Sequence, residues 1–456
     1  MNSFRYWLQP RQWVEPLLAI IVIGGLIRAL AHIYTYGYLP QPYFYDPSDT
    51  WMDWFNTADW ARDNGVYDSW GTVYAPFSFV FLRTFGMAHC YEGGGTDSAH
   101  YARACDWAGV GFIHAIYALN VILVALAYFT TDRRTALPRA IAVAMGLPLT
   151  AALERGNLVI LAFTCVILAF GPIIKSTRIR WLAFGVAMNL KIYMIALLFP
   201  QLLRRRWRWF EGAAISAVVI YLISYALLGR GSPMEVYANI VAFQGQTSPN
   251  QFLDIFYQAT YAPLIQLLNN QSFPVTSLIG SKNVDTLLMI LPWLLRITQL
   301  AILVAVIAIW LRPEVVPMYR ITNLGISFAL ITVESGGYTH LFVIFFTLFE
   351  RWKGAWQKIA IVCCYLISFQ FDYILDRTPQ FVHNSFFHNS TIFITYYIML
   401  GSFIRPLMFY LIPFALSCAT IAVVWKDIRA QGWKSRWRYR HDLPIMVGQG
   451  AAFPPR

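Results

Sequence analysis

The stretch RWLAFGVAMNLKIYMIALLFPQLLR, Arg180 to Arg204, decides the fold. Its apolar length suits one membrane crossing, which takes about 20 residues. Yet both flanks are basic, Lys175 to Arg180 before it and Arg204 to Arg208 after it, and basic flanks stay on the cytoplasmic side. A single crossing cannot place both there. Two half-length helices meeting near Asn189-Leu190-Lys191 can, and they put Lys191 at a buried tip that faces outward.

The same argument orders the rest of the chain. Further basic clusters recur at Arg133 to Arg139, Arg312 to Arg320, Arg351 to Lys358 and from Lys426 onward. Between Arg139 and Lys175 two apolar runs are separated by Glu154-Arg155-Gly156-Asn157, which predicts a hairpin with an outward tip. Glu334 to His340 falls at another outer tip, and the loops 229–283 and 374–395 lie outside. The crossings are then even in number, with both termini inside.

Composition agrees. Of 456 residues, 58% are hydrophobic, 17% aromatic and 13% charged, with a mean hydropathy of +0.50. A globular domain carries about 25% charged residues, so a soluble protein is excluded. The net charge of +12 is first a matter of membrane orientation and only then of nucleic-acid binding. The first apolar run, Trp13 to Tyr34, follows Arg5 and Arg11 and has no small-residue cleavage site behind it, so it reads as a span and not a signal peptide.

Residues 36 to 75 change character: six aspartates are opposed by Arg62 alone. Trp51, Phe55, Ala58 and Ala61 recur at helical spacing, which predicts an amphipathic surface helix over 50–63. The short apolar stretch 75–88 predicts a second surface helix, and 108–130 the next span. The expected fold is an all-α polytopic membrane bundle of about 11–12 transmembrane segments with two surface helices in the first outer loop, 36–107. One transmembrane domain covers 1–425, with 229–283 as an outer loop and possible lid, followed by a basic cytoplasmic tail, 426–456.

Several polar groups are candidates for chemistry. Asp49 and Asp53, four positions apart, share one face of the surface helix, where a carboxylate can act as general base. The competing reading is capping, with Ser48, Asp49 or Thr50 as N-cap and Thr50 with Asp53 as a capping box. Asp46 before Pro47 reads as a turn or cap. Glu154, Arg155 and Asn157 sit between apolar runs, where ionisable groups tend to mark function; an internal Glu–Arg pair closing a turn is the alternative. Lys191, flanked by Asn189 and Tyr193, suits a phosphate, or snorkels to an interface.

Glu334-Ser-Gly-Gly-Tyr338-Thr-His340 joins a glycine pair to a Tyr and a His, and His340 is either a phosphate donor or a satisfied interior histidine. His383 and His388 read as loop residues. Cys90 and Cys105 flank a Gly-rich segment and can form a disulfide in an oxidising compartment. No Cys/His spacing suits a metal. The tail Trp433 to His441 interleaves basic and aromatic residues, more in keeping with anionic lipid headgroups than with RNA.

Taken in order, Asp49-x-x-x-Asp53-Trp-Phe-Asn, Gly65-x-Tyr67, Tyr74-Ala-Pro76, Glu154-Arg-Gly-Asn157, Asn189-Leu-Lys191-x-Tyr193 and Arg204-Arg-Arg-Trp resemble bacterial family-87 glycosyltransferases of the GT-C superfamily, which includes mannosyltransferases that use polyprenyl-phosphate mannose. The motifs cover roughly the first 210 residues. One departure is Ala75, where a second proline is expected before Pro76.

The resemblance implies a hexosyltransferase, mannose favoured, acting on an outward-facing glycolipid or glycan with inversion. Asp49 would be the base, with Asp53 next in line. Arg155, Lys191, His340 and Tyr193 would meet the donor phosphate, and Glu154, Asn157 and Tyr338 would support them. It implies no cofactor and no metal, a polyprenyl-phosphate sugar as co-substrate, membrane lipids but no nucleic acid as partners, and a multi-pass protein of the inner membrane with its site toward the periplasm or cell exterior. Gln244, Gln246, Asn250 and Gln251 in the 229–283 loop are polar enough to contact sugar hydroxyls. The rival readings are a transporter or flippase for a lipid-linked sugar, whose internal repeats are not evident here, and an inactive subunit of an envelope-glycan assembly.

Overall fold

A computed structural model describes residues 11–43, 48–92, 98–245, 258–269, 280–333 and 335–433. Expectations for Asp46 and Pro47, the side chain of Gln244, Gln246, Asn250, Gln251, Glu334 and the tail beyond Trp433 lie outside the described residues. Among the described residues, six helices are long and apolar enough to cross a membrane: Trp13–Tyr36, Trp107–Thr131, Ala136–Arg155, Trp207–Leu228, Ser281–Leu311 and Gly401–Gln431. The chain is an all-α polytopic membrane protein. Four shorter apolar helices are Val159–Phe170, Ile192–Leu203, Gly337–Thr347 and Ala355–Ser368. At 1.5 Å per residue none of these reaches across a hydrocarbon core of about 30 Å.

Helix α1 (Arg11–Tyr36) enters the first outer loop, which carries α2 (Met52–Trp60), α3 (Pro76–Phe85) and α4 (Ser98–Cys105) before α5 (Trp107–Thr131). Both expected loop helices are present, but α2 is shorter than 50–63 and does not lie open on the surface: Trp54, Phe55 and Ala58 are fully buried. Pro76 opens α3 from its first turn, where the missing N–H costs nothing. A Cys90–Cys105 disulfide ties the end of α4 back to the segment that follows α3. Beside it Asp106 caps α5 through Gly109 N at 2.9 Å and accepts from the Tyr91 hydroxyl at 2.8 Å. Arg103 of α4 donates to the carbonyls of Ser48 and Thr50 at 2.7 and 2.9 Å, holding the segment that leads into α2.

The Ala136–Arg155 span is α6 (Ala136–Ala144) and α7 (Leu147–Arg155), followed by α8 (Val159–Phe170). Helix α9 (Thr177–Leu190) then stops at Lys191, whose backbone is extended (φ −141°, ψ 107°), and the chain returns through a 3-10 turn, Ile192–Leu198, and the short α10 (Phe199–Leu203) into α11 (Trp207–Leu228). The two feet of this broken pair come together, since Arg206 is close enough to act electrostatically on both Arg180 and Arg204. Asn189, fully buried, fastens the top by donating to the carbonyls of Gly185 and Ala217 at 2.8 and 2.9 Å. The half-helix expectation therefore holds, with Lys191 at the bend.

Two expectations change. The 374–395 region is not an irregular loop: β1 (Ile374–Asn384) and β2 (Thr391–Met399) form an antiparallel hairpin, and His383 lies in β1 with its Nε2 2.9 Å from the Tyr396 hydroxyl. The β-branched and aromatic run Thr391-Ile-Phe-Ile-Thr-Tyr-Tyr-Ile carries that strand preference. Farther on, the last helix continues to Gln431, past the boundary drawn at 425/426.

Candidate active site

The site starts at the Glu154-Arg155-Gly156-Asn157 corner. Gly156, at φ +63°, ends α7 in the left-handed conformation; its N–H bonds to Leu153 O and that of Asn157 to Ala152 O, both at 3.0 Å. This pair of bonds is the Schellman motif, and glycine suits it because a Cβ resists that backbone. A Cβ at 156 would also meet the Trp51 carbonyl oxygen at 3.0 Å. Asn157 then turns into α8: its Oδ1 accepts from Val159 N at 2.9 Å, leaving Nδ2 to point outward.

Across from this corner, Trp51 N donates to the Glu154 carbonyl at 2.7 Å. Trp51 itself takes φ +61°, uncommon for a bulky side chain, and begins α2 with no side-chain cap. The capping reading of Ser48, Asp49, Thr50 and Asp53 is thereby overturned, because the tie to Glu154 reshapes the turn where a cap would act. Asp49 precedes the helix instead of sharing its face. Strain of this kind persists where the surroundings over-determine it, and it clusters at functional sites.

The corner and the loop then share charge. Arg155 Nη1 bonds to Asp49 Oδ2, and Nη2 to Asp53 Oδ1 at 2.5 Å. Asn157 Nδ2 donates to Asp53 Oδ2 at 2.6 Å and lies 3.3 Å from the Tyr338 hydroxyl. Both oxygens of Asp53 are thus engaged. Arg155, expected on a phosphate, is held between two aspartates.

Lys191 completes the constellation from the bend of the broken helix. Its Nζ lies 3.3 Å from the Tyr74 hydroxyl and 4.5 Å from that ring's centroid. Asp53 and Tyr338 are within electrostatic reach of it. Burial, then the charge of Asp53, pushes the Tyr74 phenol above its ordinary range, so it stays neutral. Tyr193 brings a third phenol near Tyr74 and Tyr338, and its buried hydroxyl has no partner among the described residues. Two carboxylates, one ammonium and three phenols from distant segments therefore meet in one place.

Tyr74 entered the sequence reading only as part of a motif; no periodicity marks it as a site residue. His340 is fully enclosed, its Nε2 3.4 Å from Ala259 O and its ring 4.4 Å from that of Phe409, which is the setting of an interior histidine. Glu154 is buried, and its backbone carbonyl holds Trp51. His89 Nε2 lies 3.5 Å from Cys90 Sγ, but with both sulfurs bonded to each other this group offers no thiolate to a metal.

Residues 106–333, half of the chain, match the profile of glycosyltransferase family 87. No curated protein and no solved structure shows a match. The matched region includes Arg155, Asn157, Lys191 and Tyr193, whereas Asp49, Asp53 and Tyr74 precede it and Tyr338 follows it. The chain belongs to glycosyltransferase family 87 and is a multi-pass membrane glycosyltransferase.

Proposed function

We propose that this protein transfers a hexose, with mannose the first choice, from a polyprenyl-phosphate donor to a glycolipid or glycan acceptor at the outer face of the inner membrane, inverting the anomeric centre. One observation carries the reading. Lys191 holds its ammonium at the bend of a broken helix with one long bond to Tyr74 among the described residues, within electrostatic reach of Asp53. An ammonium has three donors, so two remain for a phosphate. The Tyr193 hydroxyl, buried and without a partner among the described residues, adds another.

In this mechanism Asp49 takes the proton of the acceptor hydroxyl, whose oxygen attacks the anomeric carbon as the bond to phosphate breaks on the opposite face. Lys191 and Tyr193 receive the charge that develops on the leaving phosphate, the preorganised electrostatics that usually dominates such catalysis. Asp53, with both oxygens engaged, serves as the anchor for Arg155 and Asn157. Arg155 aligns the two aspartates by bonding to both, a role that replaces the expected phosphate contact. His340, enclosed against Ala259 O and the Phe409 ring, follows the Tyr338 turn in the chain and packs it into the interior. The leaving group is a monophosphate ester, so the chemistry needs no metal.

The test uses the full chain in lipid nanodiscs with polyprenyl-phosphate mannose, its glucose and galactose counterparts, and a glycolipid and glycan extract. Transfer from one of these donors, unchanged by a chelator, supports the reading. Transfer from a nucleotide sugar alone would overturn it, as would translocation of a lipid-linked sugar across proteoliposomes without any transfer. Cysteine labelling tests orientation: Ser69→Cys should react from outside and Arg178→Cys from inside.

A further inference from the structure

At the end opposite Lys191, the feet of the broken helix pair gather positive charge in an arrangement that works against the helices. Helix α9 opens after Ser176 and α11 after Arg206; neither has a side-chain cap, and neither has an acidic residue in its first turn. Helix N-termini expose unpaired N–H groups and carry partial positive charge, so cations there are unfavourable. Yet Arg178, Arg180, Arg206 and Arg208 flank these two starts.

Two of the neighbouring guanidiniums are braced in place. Arg180 donates to the carbonyls of Ile174 at 2.5 Å and Gly171 at 3.0 Å, and Arg204 donates to the carbonyls of Pro313 and Val316. Arg206 acts on both as a repelling neighbour, and Glu314 is the acid whose charge reaches Arg204. Arg205 adopts φ +56°, a backbone position that favours glycine, with its guanidinium 6.0 Å from the Trp310 ring. Within a turn of these arginines, Gln201 is fully buried with neither amide atom partnered among the described residues. The indole N–H of Trp209, 3% exposed, is in the same condition.

We propose that this foot is a second binding site, for a phosphate-bearing anion, supplied by the headgroup of an anionic phospholipid in the leaflet at the basic face. The phosphate would neutralise the arginines and accept from the open helix N-termini, as anions do at such positions. Lipid is the favoured source because the same feet carry exposed Ile179, Leu182, Phe199 and Trp207, an apolar and aromatic flank suited to acyl chains. Occupancy would stiffen α9, which rises about 17 Å from Arg180 to the Lys191 bend. The proposal does not depend on the catalytic reading.

The test is native mass spectrometry and thermal unfolding of the full chain, with phosphatidylglycerol, phosphatidylcholine or inorganic phosphate added. Phosphatidylglycerol should stay bound and raise the melting temperature, and phosphatidylcholine should not. Arg206→Gln and Arg208→Gln leave the two bracing arginines intact, and each should weaken phosphatidylglycerol binding roughly fivefold. Lys353→Gln, a basic position elsewhere, should leave it unchanged. Equal stabilisation by inorganic phosphate, lost in the same variants, would support the anion site but assign it to free phosphate. Equal binding of both lipids, or losses as large for Lys353→Gln as for Arg206→Gln, would overturn the proposal. Arg206→Lys covers a failure to fold, since it keeps the charge and should retain most of the binding.

Discussion

The molecule buries charge in two different ways. Below the core, Arg139 grips Glu15 with Nε and Nη2 at 2.7 and 2.8 Å, joined by the Tyr365 hydroxyl at 3.1 Å, and Arg320 grips Glu350 at 2.5 and 2.6 Å. Each is one cation closed on one anion, with both carboxylate oxygens spent. At the candidate site one arginine is divided between Asp49 and Asp53, and the second cation, Lys191, stands apart with one long bond. Closed pairs fasten helices. A shared arginine with a separated ammonium leaves charge of both signs available to substrate.

Replacing Asp49 by Asn should produce the largest effect, a loss of turnover on the order of 10²–10⁴-fold with the melting temperature unchanged. Measured transfer rates decide it; full turnover in this variant together with loss in Asp53→Asn would move the base to Asp53. Arg139→Ala is the counterpart in the closed pair. It leaves Glu15 buried without its cation and should destabilise by about 3–5 kcal/mol, read by denaturant unfolding, while the fraction that remains folded keeps its turnover. Joint replacement of Glu15 and Arg139 by apolar residues should recover most of that stability. If Arg139→Ala instead left stability intact and abolished transfer, the contrast between the two regions would fail.

Lys191→Ala should raise the donor KM by roughly 10-fold or more, the worth of a hydrogen bond to a charged group, with acceptor KM unaffected. An unchanged donor KM would remove Lys191 from the phosphate. Gly156→Ala tests the smallest term. Its left-handed backbone and the nearby Trp51 carbonyl predict a loss of about 1 kcal/mol, seen as a lowered melting temperature, together with reduced turnover as the Arg155 corner shifts.

Much of the architecture can be read from local patterns. The bend at Lys191 follows from an apolar run too short for two crossings yet basic at both ends, and the Glu154 to Asn157 corner from charge and glycine between apolar runs. The β-hairpin at 374–399 was legible in Thr391 to Ile398 by composition but was hidden by its position between membrane segments. The site was legible as a set of residue types near one face. Its pairings were not.

Hydropathy, charge bias and turn chemistry act over a few residues to one helix length, and they alone determined that this is a polytopic helical membrane protein with Asp49, Asp53, Arg155 and Lys191 as unusual polar groups. Only the tertiary structure decided that Arg155 meets Asp49 and Asp53 across more than 100 positions of chain, that Trp51 is tied to Glu154 in place of a helix cap, that Tyr74 joins Lys191, and that His340 is enclosed beside Phe409. Such contacts depend on how distant helices pack, and a polar side chain carries no local sign of which partner will be brought within its reach.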